Sequence, residues 1–394
     1  MTEAPVRAAA SQSGMRQQNL ALVLRTVAED AELSRADVAG RTGLTRAAVS
    51  SLVDELISSN LVQEGPIAAS GRAGRPGRTL ALSDTGPAGL GLEIGVGHLG
   101  ACVMDLRGEV RVWRRVEVAN AQRPPAEVID ELAGLARDVR AEAEGFRLHP
   151  LAPVLSIPGL PGQQPGIITH APNLGWHDLP LGRLWPGPDT PRIENEANLG
   201  ALAELWSADA PRNFLHISAE AGIGAALVID GRLYGGERGY AGELGHMTVH
   251  PDGPRCPCGS RGCLELYANQ EAVLRAAGLH EHAGIDPVTE LTARADAGDP
   301  GTLRAVEQAG DALGIALAGA IGLIDPAAVV LGGAYADLGP WLLPRIHHQL
   351  ETRLTVRPFD LESVTASPLG RRGPILGAAL HTIHEILRSP STAA

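Results

Sequence analysis

The sequence predicts an α/β protein with a winged helix-turn-helix at its amino end. Three observations predict it. Helical periodicities crowd the first 60 residues. A hairpin pattern with an Arg-rich tip follows them. From about residue 90, short apolar strands alternate with longer helical patterns and frequent glycine, the texture of packed α/β layers. A chain of 394 residues suits two or three domains, and 44% hydrophobic with 20% charged residues fits a folded, globular one.

Residues 1–13 are small and polar and read as a loose tail. Residues 19–27 follow with apolar positions at helical spacing. Ser34 is placed as an N-cap with Asp37 three residues on, close to a capping box, and that helix runs through Val38 and Ala39 to a stop near Gly43. Thr45 caps a third helix that buries Val49, Leu52, Val53 and Leu56, and Asn60 ends it. The turn Thr42-Gly43-Leu44-Thr45 is that of a helix-turn-helix. Residues 61–64 and 79–82 read as two strands flanking a basic tip with Arg72, Arg75 and Arg78, the wing. The head is assigned to residues 14–86.

Beyond it, strands are expected at 90–94, 100–105 and 110–118, a helix at 125–143, a buried strand at 152–157 and a helix at 197–206. Strands at 214–218 and 225–229 surround a glycine turn. A long helix at 300–324 leads to a strand at 327–331, closed by Gly332-Gly333, and a last helix spans 375–387.

Every one of the 33 basic residues is Arg, which excludes a Walker-type phosphate loop, a Schiff-base lysine and any lysine-based catalysis. The formal net charge is −12, but residues 1–86 hold nine Arg and nine acids, so the acidity lies wholly in the larger part. The head is free to carry a basic patch. Thr45, Arg46, Ala47, Ser50 and Ser51 form the leading exposed face of the third helix, the part that reads bases in this motif. Arg46 suits guanine, Ala47 a thymine methyl, and the hydroxyls bases or phosphates. The wing arginines, with no acidic neighbour nearby, suit phosphates or a narrow minor groove. The plainer alternative is a three-helix bundle with a solvated Arg loop. No run of about 18 apolar residues and no secretory pattern at the start point to the cytoplasm without a membrane span.

Cys256, Cys258 and Cys263 lie within eight residues, with His246 ten before the first. Three thiolates and an imidazole are the ligand set of a closed structural zinc site. His250 competes with His246 on spacing alone, and a disulfide pair is a third option. Cys102, in an apolar stretch, reads as an ordinary buried thiol.

From about residue 90 to 387 the sequence resembles the ROK family, which groups bacterial sugar kinases with sugar-responsive repressors. The most specific segment is Glu243-Leu244-Gly245-His246 followed by Cys256-Pro257-Cys258-Gly259-Ser260-Arg261-Gly262-Cys263-Leu264-Glu265. Pro158-Gly159, Ala171-Pro172-Asn173-Leu174-Gly175-Trp176, Glu194-Asn195-Glu196-Ala197-Asn198, Gly222-Ile223-Gly224 and Asp325-Pro326 support it. The resemblance implies a two-lobed, actin-like (ribonuclease H-like) sugar kinase fold behind the winged head. The body is then residues 87–394, with a small lobe of about 87–195 plus the helix 375–388 and a large lobe of about 196–374. It further implies one structural zinc per chain on His246, Cys256, Cys258 and Cys263, which decides for His246 over His250. His246 would offer its second nitrogen to a sugar hydroxyl. Asn173, Asn195, Glu196, Glu243 and Glu265 would line the sugar site, with Gly159 letting the backbone approach.

Family kinases carry an Asp where Glu196 stands, and it takes the proton from the attacking hydroxyl. They open the lobe with Asp-x-Gly-x-Thr, where this chain has Glu93-Ile94-Gly95-Val96-Gly97-His98. Moving a catalytic base by about 1 Å can cost on the order of a hundredfold in rate. The sequence therefore predicts no catalytic residue and no enzyme activity, but a monosaccharide sensor controlling operator DNA binding, as a repressor and as a homodimer or homotetramer. The alternatives are an active sugar kinase with an accessory DNA-binding head and, third, a zinc-responsive regulator.

Overall fold

The head forms from local signals. Helix α1 (Gln12–Glu29) precedes α2 (Arg35–Thr42). Ser34 Oγ accepts from the Asp37 amide while the Asp37 carboxylate accepts from the Ser34 amide, a complete capping box. Gly43 ends α2 in the left-handed region at φ 73°, and Thr45 caps α3 (Arg46–Ser58) by accepting from the Ala48 amide at 3.2 Å. Strands β1 (Val62–Ile67) and β2 (Arg78–Leu82) pair antiparallel as the wing. The structure, a computed structural model, describes residues 12–67, 77–187, 189–207, 210–279 and 286–393. Arg72 and Arg75 lie outside them. Helix α1 begins two residues inside the segment expected as a tail.

The body opens with β3 (Gly86–Ile94), β4 (His98–Met104) and β5 (Val110–Glu117), the expected meander, then α4 (Pro125–Glu144), β6 (Leu148–Pro150) and β7 (Val154–Ile157). A small antiparallel sheet of β8 (Leu160–Pro161), β9 (Ile167–Ala171) and β10 (Trp176–Pro180) follows, then α5 (Leu181–Leu184) and β11 (Arg192–Asn195). The first large sheet has the order β11-β7-β3-β4-β5, with β6 also paired to β3. Helix α6 (Glu196–Leu205) starts directly from the end of β11.

The second large sheet contains β12 (Phe214–Ala219), β13 (Ile223–Ile229) and β14 (Arg232–Tyr234). Its chain continues through α7 (Glu265–Ala268), α8 (Gln270–Ala276), α9 (Pro287–Asp296) and α10 (Pro300–Ile324) to β15 (Ala328–Gly333). Helices α11 (Ala334–Asp337) and α12 (Gly339–Arg353), strand β16 (Val364–Ala366) and helix α13 (Gly373–Arg388) complete it, and the strand order is β14-β13-β12-β15-β16. By length and composition α10 is apolar enough to cross a membrane. More than half of that stretch is buried, and its Val306, Leu313, Leu317 and Ile321 share the large-lobe core with Leu342 and Ile346 of α12.

The head and the body share one core. Leu20, Val23, Leu24 and Val27 of α1 belong to the same buried cluster as Cys102 and Met104 of β4 and Ile383 and Ile386 of α13. Burial pushes the Cys102 thiol up to about 12, in keeping with an inert core residue. The connection between β2 and β3 is only residues 83–85. It is braced by Arg107, whose Nε donates to the Leu82 carbonyl at 2.8 Å and whose Nη1 lies 3.4 Å from Asp84.

Candidate functional site

Between β14 and α7 the chain builds a loop with little regular structure. The Cys256 amide donates to the Ser260 carbonyl at 2.9 Å, and the Gly259 amide to the Cys256 carbonyl at 3.0 Å, closing a tight knuckle around the first two cysteines. Gly262, at φ 61°, lies so close to the His250 carbonyl that no side chain fits there. The knuckle brings one donor atom each from His246, Cys256, Cys258 and Cys263 within 4.8 Å of one another, and the Cys258 and Cys263 sulfurs are 3.7 Å apart. Tetrahedral zinc at about 2.3 Å from each sulfur sets its thiolates about 3.8 Å apart, so this Cys3His cluster fits such an ion. His250 instead packs edge-on against Tyr267, at 4.7 Å between centroids. The Cys258 thiol is held below its ordinary value, first by the Ser260 amide, while burial raises Cys256 to about 12.

His246 also joins the cluster to two carboxylates. One of its ring nitrogens lies 3.7 Å from Glu243 Oε2 and the other 3.6 Å from Glu265 Oε2. Carboxylates beside a metal-binding imidazole fix its orientation. Glu265 opens α7, and burial raises its carboxyl despite the opposing influence of His246. Gly222 lies between Glu265 and Asn173: a Cβ built on it would stand 2.7 Å from Glu265 Oε1 and 3.2 Å from Asn173 Nδ2. Asn173, from the turn after β9, is thus brought beside Glu265.

Asn195 is occupied by the scaffold. Its Oδ1 caps α6, accepting from the Ala197 amide at 2.9 Å and the Asn198 amide at 3.2 Å, and its Nδ2 donates to the Gly159 carbonyl at 3.0 Å. Glu194 steadies this corner by accepting from Asn198 Nδ2 at 2.9 Å. Glu196, the first residue of α6, has its carboxyl pushed up to about 8 by burial and by the nearby carboxylates of Glu220 and Glu93.

The segment aligned with a phosphate loop is filled by its own side chains. Glu93 is the penultimate residue of β3 and His98 opens β4; their side chains are 8% and 2% exposed, with His98 Nε2 and Glu93 Oε2 3.2 Å apart. Burial works against a charged His98, but the Glu93 carboxylate prevails and its pKa rises. The His98 ring lies directly over Gly95. Buried Asn120 pins this loop, donating to the carbonyls of Gly95 at 2.9 Å and His98 at 2.8 Å. Sequence reasoning missed Asn120, which stands in an unremarkable Val-Ala-Asn-Ala stretch, and Glu220, which lies far from the motifs it meets.

On the head, Thr45, Arg46, Ala47 and Ser51 are exposed along one end of α3, and Ser50 is half-buried. Arg46 forms no ion pair with a described residue. Arg78 corrects one expectation: Glu64 lies across the strand pair with its carboxylate 3.8 Å from Arg78 Nε, so this wing arginine does have an acidic neighbour. Sequence distance hid it, because β1 and β2 meet only when the hairpin closes.

A family model for the ROK family matches residues 89–385, three-quarters of the chain. The chain belongs to the ROK family. A second model, winged helix-turn-helix DNA-binding, matches residues 20–63. The chain is 29% identical over 386 residues to the xylose repressor of Bacillus subtilis (strain 168), covering 96% of this chain and 98% of that one. The crystal structure of a ROK family transcriptional regulator, a homolog of the E. coli MLC protein, superposes with a TM-score of 0.75 at 26% identity, covering 95% of this chain and 97% of the other. A ROK family glucokinase from Streptomyces griseus, solved with glucose and AMPPNP, superposes at 0.63 with 26% identity, covering 75% of this chain and 98% of the kinase. The ROK body thus carries the actin-type sugar kinase fold behind a winged head.

Proposed function

We propose that this ROK protein is a sugar-responsive transcriptional repressor that binds a free monosaccharide without phosphorylating it. The observation that carries the reading is the winged head fused to the ROK body in one core, in a chain whose sequence matches the xylose repressor over nearly its whole length. We take the head as residues 14–86, the small lobe as 87–195 with 375–388, and the large lobe as 196–374.

Asn173, Glu243, Glu265 and His246 offer acceptors and donors for vicinal hydroxyls. The Gly159 backbone lies at the same edge, and Asn195 holds that backbone to α6. Zinc on His246, Cys256, Cys258 and Cys263 acts as a structural brace: it fixes the knuckle and, through it, the His246 ring between Glu243 and Glu265. A closed site of three cysteines and one histidine suits a scaffold better than a reversible zinc signal.

Glu93, Glu196 and Glu220 converge beside the loop aligned with the phosphate loop of the family's kinases. Kinases also carry carboxyls at the Glu93 and Glu196 positions; what departs here is the His98 ring, paired with Glu93 and filling the loop that would cradle a phosphate. The rival kinase reading keeps one supporting observation: Glu196 is still a carboxyl, and a pKa near 8 suits a general base.

Sugar occupancy reaches DNA through packed elements. Asn195 and Glu196 start α6, α6 lies against α13, and α13 shares its core with α1 of the head. A sugar that prefers one lobe arrangement shifts that population and the head with it. Two half-sites on operator DNA call for a homodimer or higher oligomer, in the cytoplasm where that DNA lies.

Fluorescence anisotropy on operator fragments, with xylose, glucose and N-acetylglucosamine in turn, tests the reading. One sugar should release the DNA. A coupled ATP-consumption assay should detect no turnover with any of them; turnover abolished by Glu196→Ala would establish the kinase instead.

A further inference from the structure

Two histidines face each other on the small antiparallel sheet, away from the Cys3His cluster. His170 of β9 and His177 of β10 are direct cross-strand partners. Their rings are 4.6 Å apart between centroids and tilted by 45°, and their Nδ1 atoms are 2.9 Å apart. At that separation one Nδ1–H donates to the lone pair of the other.

We propose that this pair is a second metal site, which takes a late divalent transition ion such as Ni2+ or Cu2+ through the two Nδ1 atoms. Metal–imidazole bonds run about 2.0–2.1 Å. Two such bonds meeting at a right angle hold their nitrogens about 2.9 Å apart, the cis edge of the tetragonal geometry these ions favour. A tetrahedral centre holds its nitrogens about 3.4 Å apart, so the pair as it stands lies nearer the tetragonal edge.

Binding needs no net loss of a proton. The donating ring moves its proton from Nδ1 to Nε2 by exchange with solvent, which frees both Nδ1 lone pairs. His177 is exposed and borders an open hollow of about 370 Å3 with Gln122, Arg123 and Trp176, so water can fill the remaining coordination positions. The His381–His384 pair of α13 offers nothing comparable, because His384 is stacked on Trp206 at 3.8 Å and the His381 side chain is 13% exposed. The turn between His170 and His177 carries Asn173, so an ion here staples the strands on either side of that residue. The site stands on the geometry of the two rings, whether or not Asn173 contacts a sugar.

Isothermal titration of the untagged full chain with NiCl2, after equilibration with zinc, tests it. One further Ni2+ per chain is expected, bound at least tenfold more weakly in His170→Gln and in His177→Gln and unchanged in His250→Gln, next to the cysteine knuckle. His177 is exposed and His170 half-buried on this small sheet, so the nickel-free melting temperatures of the two variants should match the parent. Uptake that survives both substitutions, or that is lost in His250→Gln and kept in His170→Gln, overturns the proposal.

Discussion

Gly377 of α13 lies against Leu199 of α6 so closely that a Cβ on it would overlap the Leu199 carbonyl. The helix that starts at Glu196 and the helix that packs against the head therefore touch backbone to backbone. Gly377→Val should force them apart, at about 1–3 kcal/mol, the usual cost of overpacking. Thermal melting should fall, and operator binding should respond less to sugar. A variant with the parent's melting point and full response would show that coupling does not pass through this contact.

The cysteine knuckle makes a compositional prediction. Cys258→Ser should lower bound metal, read by elemental analysis, together with the melting temperature. His246→Ala should lose metal and sugar response, whereas His250→Ala should keep its metal. The reverse pair of results would give the fourth ligand position to His250.

Glu196 makes a pH prediction. Its carboxyl ionises near 4.5 in the unfolded chain and near 8 in the folded one. Below 4.5 both states hold the proton and the group is neutral towards stability. Between 4.5 and about 8 the unfolded state releases it and the folded state does not, so stability falls through that window and is flat above it. Glu196→Gln removes the penalty. Its melting temperature should exceed the parent's at pH 8.5 and match it at pH 4; a constant difference at both would mean that ionisation is not the cause.

Arg46 stands exposed at the start of α3. Arg46→Ala should weaken binding to the specific operator by about 1–3 kcal/mol if it reads a guanine. The same loss on random DNA would make it a phosphate contact.

The head was legible because its signals are local. Ser34, Asp37, Gly43 and Thr45 cap their helices where spacing placed them. The long helix α10 was legible in full, as an uninterrupted apolar period. Helix α12 was not, because Pro344 stands inside it and the pattern looks broken. The hairpin of β9 and β10 was hidden in a stretch rich in Pro and Gly. At the site, spacing alone gave the three cysteines with a histidine and the resemblance chose His246 over His250, but the scaffold role of Asn195 and the meeting of Glu93, Glu196 and Glu220 depend on partners distant in sequence. Charge repulsion between remote segments leaves no periodic trace.

The apolar seam between α1 and α13 has a consequence for engineering. Cutting the gene after residue 82 would strip the cover from Met104, Ile383 and Ile386 and leave both fragments sticky. A sensor retargeted to a new operator should therefore inherit the outward side of the last helix together with its new reading head, because the two were tailored as mating halves.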